Sequence, residues 1–198
     1  MEERARRIIE TAVELAEQGG FEAVRLRDVA SHAGVALGTL YRRFRSKEDL
    51  LLAALEQEID DVRLRFEKRP PEGATPLERV TVFFQITTRA LCRRPNLARA
   101  LVRSVATGEP ELTQKVASFH TLMEELITAA LRGQRFSESA SPSELERRIG
   151  FALQQVWFAS LIGWSSGLHS QAAIVEQTAS AADLLLSGNR EPGDRGRV

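Results

Sequence analysis

Leu51, Leu55, Ile59, Val62 and Phe66 fall three or four residues apart, which puts all five on a single stripe of one helix. The same spacing recurs along almost the whole chain. Ile8, Ala12, Leu15 and Ala16 form an earlier amphipathic helix that stops at Gly19-Gly20. Two short segments follow, at about 27–33 and 37–44, the first ending at Gly34. Further helices are predicted at about 76–93, 95–107, 110–132, 142–167 and 170–187, with a loop at 133–141. No segment requires a β-strand, so the expected fold class is all-α.

The helix starts are also written in the sequence. Ser46 can cap a helix from Lys47, with Glu48 and Asp49 in the first turn, where the helix dipole favours acids. Thr75-Pro76-Leu77-Glu78 and Ser141-Pro142-Ser143-Glu144 both read as capping boxes: a hydroxyl at the cap, proline in the first turn, and a glutamate three residues on. The tail, residues 188–198, lacks apolar periodicity and is expected to be disordered.

Composition narrows the function classes. The 198 residues are 43% hydrophobic, enough for a sizeable core. A single cysteine, Cys92, cannot form an internal disulfide, which fits a cytoplasmic location. Three histidines and that cysteine show no metal-ligand spacing, so neither a metal site nor a cofactor is expected. No apolar run is long enough to span a bilayer, and the acid-bearing N-terminus does not resemble a signal peptide. A Gly-rich phosphate loop, a nucleophile motif and paired carboxylates are all missing from the pattern, so an enzyme is not expected. The formal net charge is zero, so any affinity for nucleic acid must come from a local patch.

That patch lies in the two short helices. Small Ala30 allows them to cross closely, Gly34 allows the turn, and Val29 and Val35 can pack beneath it. From Val29 to Lys47 there is no acid, against Arg42, Arg43, Arg45 and Lys47. With Leu40 and Phe44 anchored inward, the second helix would present Leu37, Gly38, Thr39, Tyr41, Arg42, Arg43 and Arg45 outward. Gly38 and Thr39 permit close backbone approach to a duplex. The Thr39 and Tyr41 hydroxyls and the Lys47 ammonium suit phosphate oxygens, and Arg43 suits a guanine edge.

On Gly20-Phe21-Glu22-Ala23-Val24, Val29-Ala30, Ala33-Gly34-Val35 and the run from Gly38 to Leu50, the sequence resembles the TetR family of repressors over about residues 4–55. The resemblance implies a homodimer with a three-helix head that binds a near-palindromic operator in double-stranded DNA, and a body that binds a small-molecule inducer. Its division is residues 1–50 for the head and 51–187 for the body. Carried over by position, the DNA-contacting residues are Arg27, Gly38, Thr39, Tyr41, Arg43 and Lys47, together with Arg42. Leu37 stands where many relatives have a polar base-reading residue, which leaves an apolar contact to a thymine methyl.

The body is less legible. Phe84, Phe119, Met123 and Trp157 lie on apolar stripes and are either core or pocket wall. Thr88, His120 and Gln155 are the polar groups available to a ligand. The stretches 88–97 and 155–164 resemble the cholesterol-catabolism (KstR-like) branch, which implies a lipophilic acid or its acyl-CoA thioester as inducer. Ala159, Gly163 and Gly167 form a smooth strip, and Ala179 and Ala182 lend similar character to the last helix. The strip packs either within the chain or, as the resemblance implies, across a dimer. Two regulatory alternatives remain, an activator or a ligandless regulator. Outside the family stands a helical protein-interaction module without DNA binding.

Overall fold

The structure, a computed structural model, describes residues 2–188. Within them the chain is helical, with no strand: α1 Glu2–Ala23, α2 Leu26–His32, α3 Leu37–Tyr41, α4 Lys47–Lys68, α5 Pro76–Cys92, α6 Pro95–Ala106, α7 Thr113–Arg132, α8 Glu144–Ser165 and α9 Gln171–Ser187. Short 3₁₀ turns occupy Pro110–Leu112 and Phe136–Glu138. The expected tail falls outside the described residues except for Gly188, which caps α9.

Three boundaries differ from expectation. The first helix does not end at Gly19-Gly20; it kinks there, with Gly20 at φ 67°, and continues for one more turn. The second short helix stops at Tyr41 rather than Phe44. The third difference is at α8, whose cap is Ser143 rather than Ser141. Ser143 Oγ accepts from the Glu146 N–H at 3.3 Å, and Glu146 accepts from the Ser143 N–H at 2.8 Å. Proline belongs in a first turn only if the cap precedes it, and here Pro142 is left outside the helix. At α5 the cap is as expected: Thr75 Oγ1 accepts from the Glu78 N–H at 3.2 Å, while the Glu78 carboxylate reaches back to the Ala74 N–H at 2.7 Å.

The chain forms two compact units. Among the described residues the first contains 2–61 and 91–119, the second 62–90 and 120–188, and the chain passes between them inside α4, α5 and α7. In the first unit α1 packs on α6, and α2 packs on α1 and α3. Ile8, Ala12, Ala16, Val24, Leu50, Leu51 and Leu101 are buried there. Arg94 crosses to Glu17 at 2.7 Å and to Glu58 at 2.5 Å. Burial pushes the Glu58 carboxyl above the usual carboxylate range, against the pull of Arg94.

The second unit packs α8 against α9 and carries an aromatic row. Phe66 and Phe83 have ring centroids 5.2 Å apart, Phe83 and Phe84 5.1 Å, and Phe84 and Trp157 5.9 Å. Arg79 caps the end of α7 by donating to the Leu131 carbonyl at 2.7 and 3.2 Å. Arg132 clasps Glu146 with two hydrogen bonds of 2.7 Å.

The Arg132 hydrogen bond, helped by Ser143, holds the Glu146 carboxyl down to about 2, from an ordinary 4.5. A depressed folded-state value stabilises the protein above the unfolded value, and the stabilisation is lost as pH falls toward the folded one. Glu146→Gln is therefore expected to lower the urea midpoint at neutral pH. The gap to the wild type should narrow steadily below about pH 4.5, and a pH-independent gap would contradict the assignment.

Candidate DNA interface and ligand-binding body

The recognition segment is built from a turn that only a few residues tolerate. Gly34 closes α2 with φ 63°, a left-handed conformation in which glycine carries no Cβ penalty. Val35 N–H then donates to the Ala30 carbonyl at 3.0 Å, bringing the chain back across α2. Val29 and Ala30 are buried as expected, and so are Leu40 and Phe44. Those anchors turn the opposite face outward: Gly38, Tyr41, Arg42 and Arg43 are exposed, and Leu37 and Thr39 are half-buried. Tyr41 keeps 52% of its surface, unusual for an aromatic side chain. Arg42 leans back on Thr39, donating to its hydroxyl at 3.2 Å. Arg27 is exposed on α2.

Lys47 differs from the others. Its ammonium lies 3.9 Å from the centroid of the Phe21 ring and 3.5 Å from a Glu22 oxygen. Arg103 sits at the same ring, 4.1 Å from its centroid, and pairs with Glu22 at 2.8 Å. These two cations, Lys47 first, hold the Glu22 carboxyl below the usual range. A phosphate would have to compete with Glu22 for Lys47, so this lysine braces α1, α4 and α6 even without DNA.

A residue absent from the sequence reading joins the face. Arg4, with Ala5 and Ile8 of α1, lines a groove of about 420 Å³ whose other wall is Thr39, Arg42 and Arg43. The sequence pattern of the first helix begins at Ile8 and gives no sign of which segment Arg4 faces.

The far end of the recognition segment is held by Asp49, which is only 4% exposed. Its carboxylate accepts from the Arg45 N–H at 2.9 Å and from the Lys115 ammonium of α7. Ser46 Oγ accepts from the Asp49 N–H at 3.1 Å and donates to Glu109 at 3.4 Å. The serine cap was legible in the sequence. The tie to Glu109 and Lys115, more than sixty residues away, was not.

A family model described as "Bacterial regulatory proteins, tetR family" matches residues 8–54, and one described as "Tetracyclin repressor-like, C-terminal domain" matches residues 73–185. The chain belongs to the TetR family. The HTH-type transcriptional repressor KstR of Rhodococcus jostii (strain RHA1) is 34% identical over 191 residues, which cover 96% of this chain and 86% of KstR. A crystal structure of a TetR transcriptional regulator from Rhodococcus sp. RHA1 matches with a TM-score of 0.80 at 30% identity, over 94% of this chain and 96% of that one. Thermus thermophilus FadR, solved in complex with lauroyl-CoA, shares the fold with a TM-score of 0.74 at 23% identity, over 98% and 100% of the two chains.

In this TetR-family body, three of the six side chains expected at a ligand come together. The Trp157 indole N–H donates to Thr88 Oγ1 at 2.9 Å, and the Phe84 ring stacks obliquely beside Trp157. Thr88 is thereby partnered within the core. Met123 is fully buried, and Phe119 and His120 are half-buried on α7. Of the three polar residues chosen from the sequence, Gln155 is exposed, and its neighbour Gln154 is buried instead. A surface recess of about 270 Å³ at Phe136, Ser137, Ser139, Ala140, Ser141, Pro142 and Glu125 contains none of the six.

The small-residue strip does not survive as one surface. Gly163 is buried against the His169 ring, where no Cβ would fit, and Ala182 is buried as well. Gly167 lies in the turn after α8 with φ 80°. Ala159 is exposed and Ala179 half-buried. What α8 leaves uncovered is larger: Phe151 and Ile162 are exposed on the face that carries Ala159, and Leu168 and Leu184 follow in the turn and on α9. A helix apolar on both faces needs cover on both.

Among the described residues no helix is long and apolar enough to cross a membrane, and no cluster of three or more metal-binding side chains occurs.

Asp49→Ala is expected to destabilise the protein by about 1–3 kcal/mol, because it orphans the Arg45 N–H and the Lys115 tie together. Lys115→Met should cost less than Asp49→Ala, because the Asp49 carboxylate keeps the Arg45 N–H when the ammonium is lost. Urea unfolding gives the two stabilities. Fluorescence anisotropy on bound DNA should show the larger affinity loss for Asp49→Ala, and equal losses would count against Asp49 as the brace.

Proposed function

We propose that this chain is a homodimeric, cytoplasmic transcriptional repressor that a lipophilic small molecule releases from a near-palindromic operator. The observation that carries the reading is the free face of α3 and the turn after it, where Gly38, Tyr41, Arg42 and Arg43 are exposed over buried Leu40 and Phe44. Arg43 would read a base edge, Thr39 and Tyr41 would bind phosphates, Leu37 would meet a thymine methyl, and Arg27, Arg42 and Arg4 would add phosphate contacts. Lys47 would join them only by leaving Glu22. Residues 1–50 serve as the DNA-binding head and 51–187 as the ligand-binding and dimerising body. The KstR of Rhodococcus jostii is named a repressor, and a FadR of the same fold was solved with lauroyl-CoA. On that basis the inducer is an acyl-CoA or a sterol-like acid.

In the mechanism we propose, two heads on one two-fold axis enter successive major grooves, with centres about 34 Å apart. The uncovered face of Phe151, Ala159 and Ile162, extended by Leu168, Ala179 and Leu184, supports the dimer. α4 runs without interruption from the Ser46 cap to Lys68, so a ligand that tilts its later turns moves the head. A coupling of about 1–3 kcal/mol would weaken operator binding roughly 5- to 150-fold.

Selection of bound fragments from random DNA should return an inverted repeat, and its affinity should fall steeply with salt. Arg43→Ala and Tyr41→Ala should abolish the selected preference. Survival of that preference in both variants would remove α3 as the reading element.

The dimer is tested separately. Phe151→Glu with Ile162→Glu should give a monomer by analytical ultracentrifugation and weaken operator binding. A dimer that persists in the double variant would place the interface elsewhere.

A further inference from the structure

The buried polar side chains of the second unit are almost all accounted for. Thr87, Thr128 and Thr178 each donate to the carbonyl four residues back, at 2.8, 2.9 and 2.7 Å. Ser160 Oγ lies 2.8 Å from the Val156 carbonyl and 2.7 Å from Gln177 Oε1, and Thr88 accepts from Trp157. Gln154 is the exception. It is 1% exposed, and neither its amide nitrogen nor its amide oxygen meets a hydrogen-bonding group of the described residues. A primary amide brings two donors and an acceptor oxygen, and burying all of them unpaired is costly where a leucine of similar size would cost nothing.

Its place on α8 gives the orphan amide a context. Gly150, one turn earlier, faces the Glu124 backbone of α7, which a Cβ at that position would meet at 3.7 Å. Trp157, one turn later, packs on Thr88 and Phe84 of α5. Gln154 thus sits on the buried face of α8 between its contacts with α7 and α5. The buried polar side chains of this unit are hydroxyls and this amide, the half-buried His120 adds an imidazole with a buried Nδ1, and no lysine or arginine is among its buried residues. A carboxylate brought to the Gln154 amide would gain no fixed positive charge from a lysine or arginine, whereas a ketone, hydroxyl or amide would find a partner.

We propose that the Gln154 amide receives a neutral oxygen-bearing group on the lipophilic ligand, so that the body prefers oxygenated chains or rings over plain hydrocarbon ones. The inference rests on the reading of the chain as a ligand-released regulator. A site built to hydrogen-bond an oxygen discriminates against the analogue that lacks it, because its own polar atoms are then left unpaired. A plain acyl chain ends in a methyl group and would leave the amide as it is.

The test uses the full chain with matched probes: lauroyl-, palmitoyl- and stearoyl-CoA, each beside its ω-hydroxy counterpart. Affinities come from isothermal titration, and release from the selected DNA is followed by anisotropy. In the wild type the hydroxylated member of at least one pair should bind about tenfold tighter, or ~1.4 kcal/mol. Gln154→Leu and Gln154→Met should lose that preference while still binding the plain member. Equal affinities within every pair, binding by no probe, or a preference that survives in both variants would each overturn the proposal. An amide satisfied by a trapped water gives the first of these results. Wild-type DNA affinity without probe, read in the same cell, reports on the repressor reading separately. Strong DNA binding with no oxygen preference sinks only the role of Gln154, whereas no DNA binding sinks the reading beneath it.

Discussion

At the start of α4 the carboxylate of Asp49 meets the Arg45 N–H from the end of the recognition segment and the Lys115 ammonium from the first turns of α7. A carboxylate this deeply buried is tolerated only with such partners. They also explain how a helix as short as α3 can hold a fixed orientation. Five residues cannot form a stable helix alone, because nucleation costs more than one turn returns. Leu40 and Phe44 hold the helix from below, Gly34 fixes its entry, and Asp49 ties down its exit.

The brace explains how the charge is distributed. Glu22, Glu109 and Asp49 occupy Lys47, Arg103, Ser46 and Lys115. Arg42 and Arg43 remain exposed, with Arg4 across the groove. A chain of zero net charge can therefore present a cationic face, because its acids are spent internally on the structural cations.

The body follows a different rule. Its buried hydroxyls are all hydrogen-bonded while the Gln154 amide is not, and large apolar side chains stay exposed on α8, in the turn after it and on α9. Gly163 gives its missing side chain to His169 of the same chain rather than to a partner helix. The uncovered residues are the large ones, Phe151, Ile162, Leu168 and Leu184.

Most of the fold was legible in the chain itself, because helix periodicity, glycine turns and serine or threonine caps act over three or four residues. The 47–68 helix with its stripe, the Gly34 turn, the Ser46 cap and the outward face of α3 all follow from local chemistry. Tertiary structure alone decided which of Gln154 and Gln155 is buried, since neighbours on a helix differ by about 100° and α8 is apolar on more than one side. Tertiary structure also committed Lys47 to Glu22 and Phe21, tied Asp49 to Lys115, and brought Arg4 to the groove beside Arg43. Each of these joins residues far apart in sequence, and no local spacing encodes which distant side chain a charge or an amide will meet.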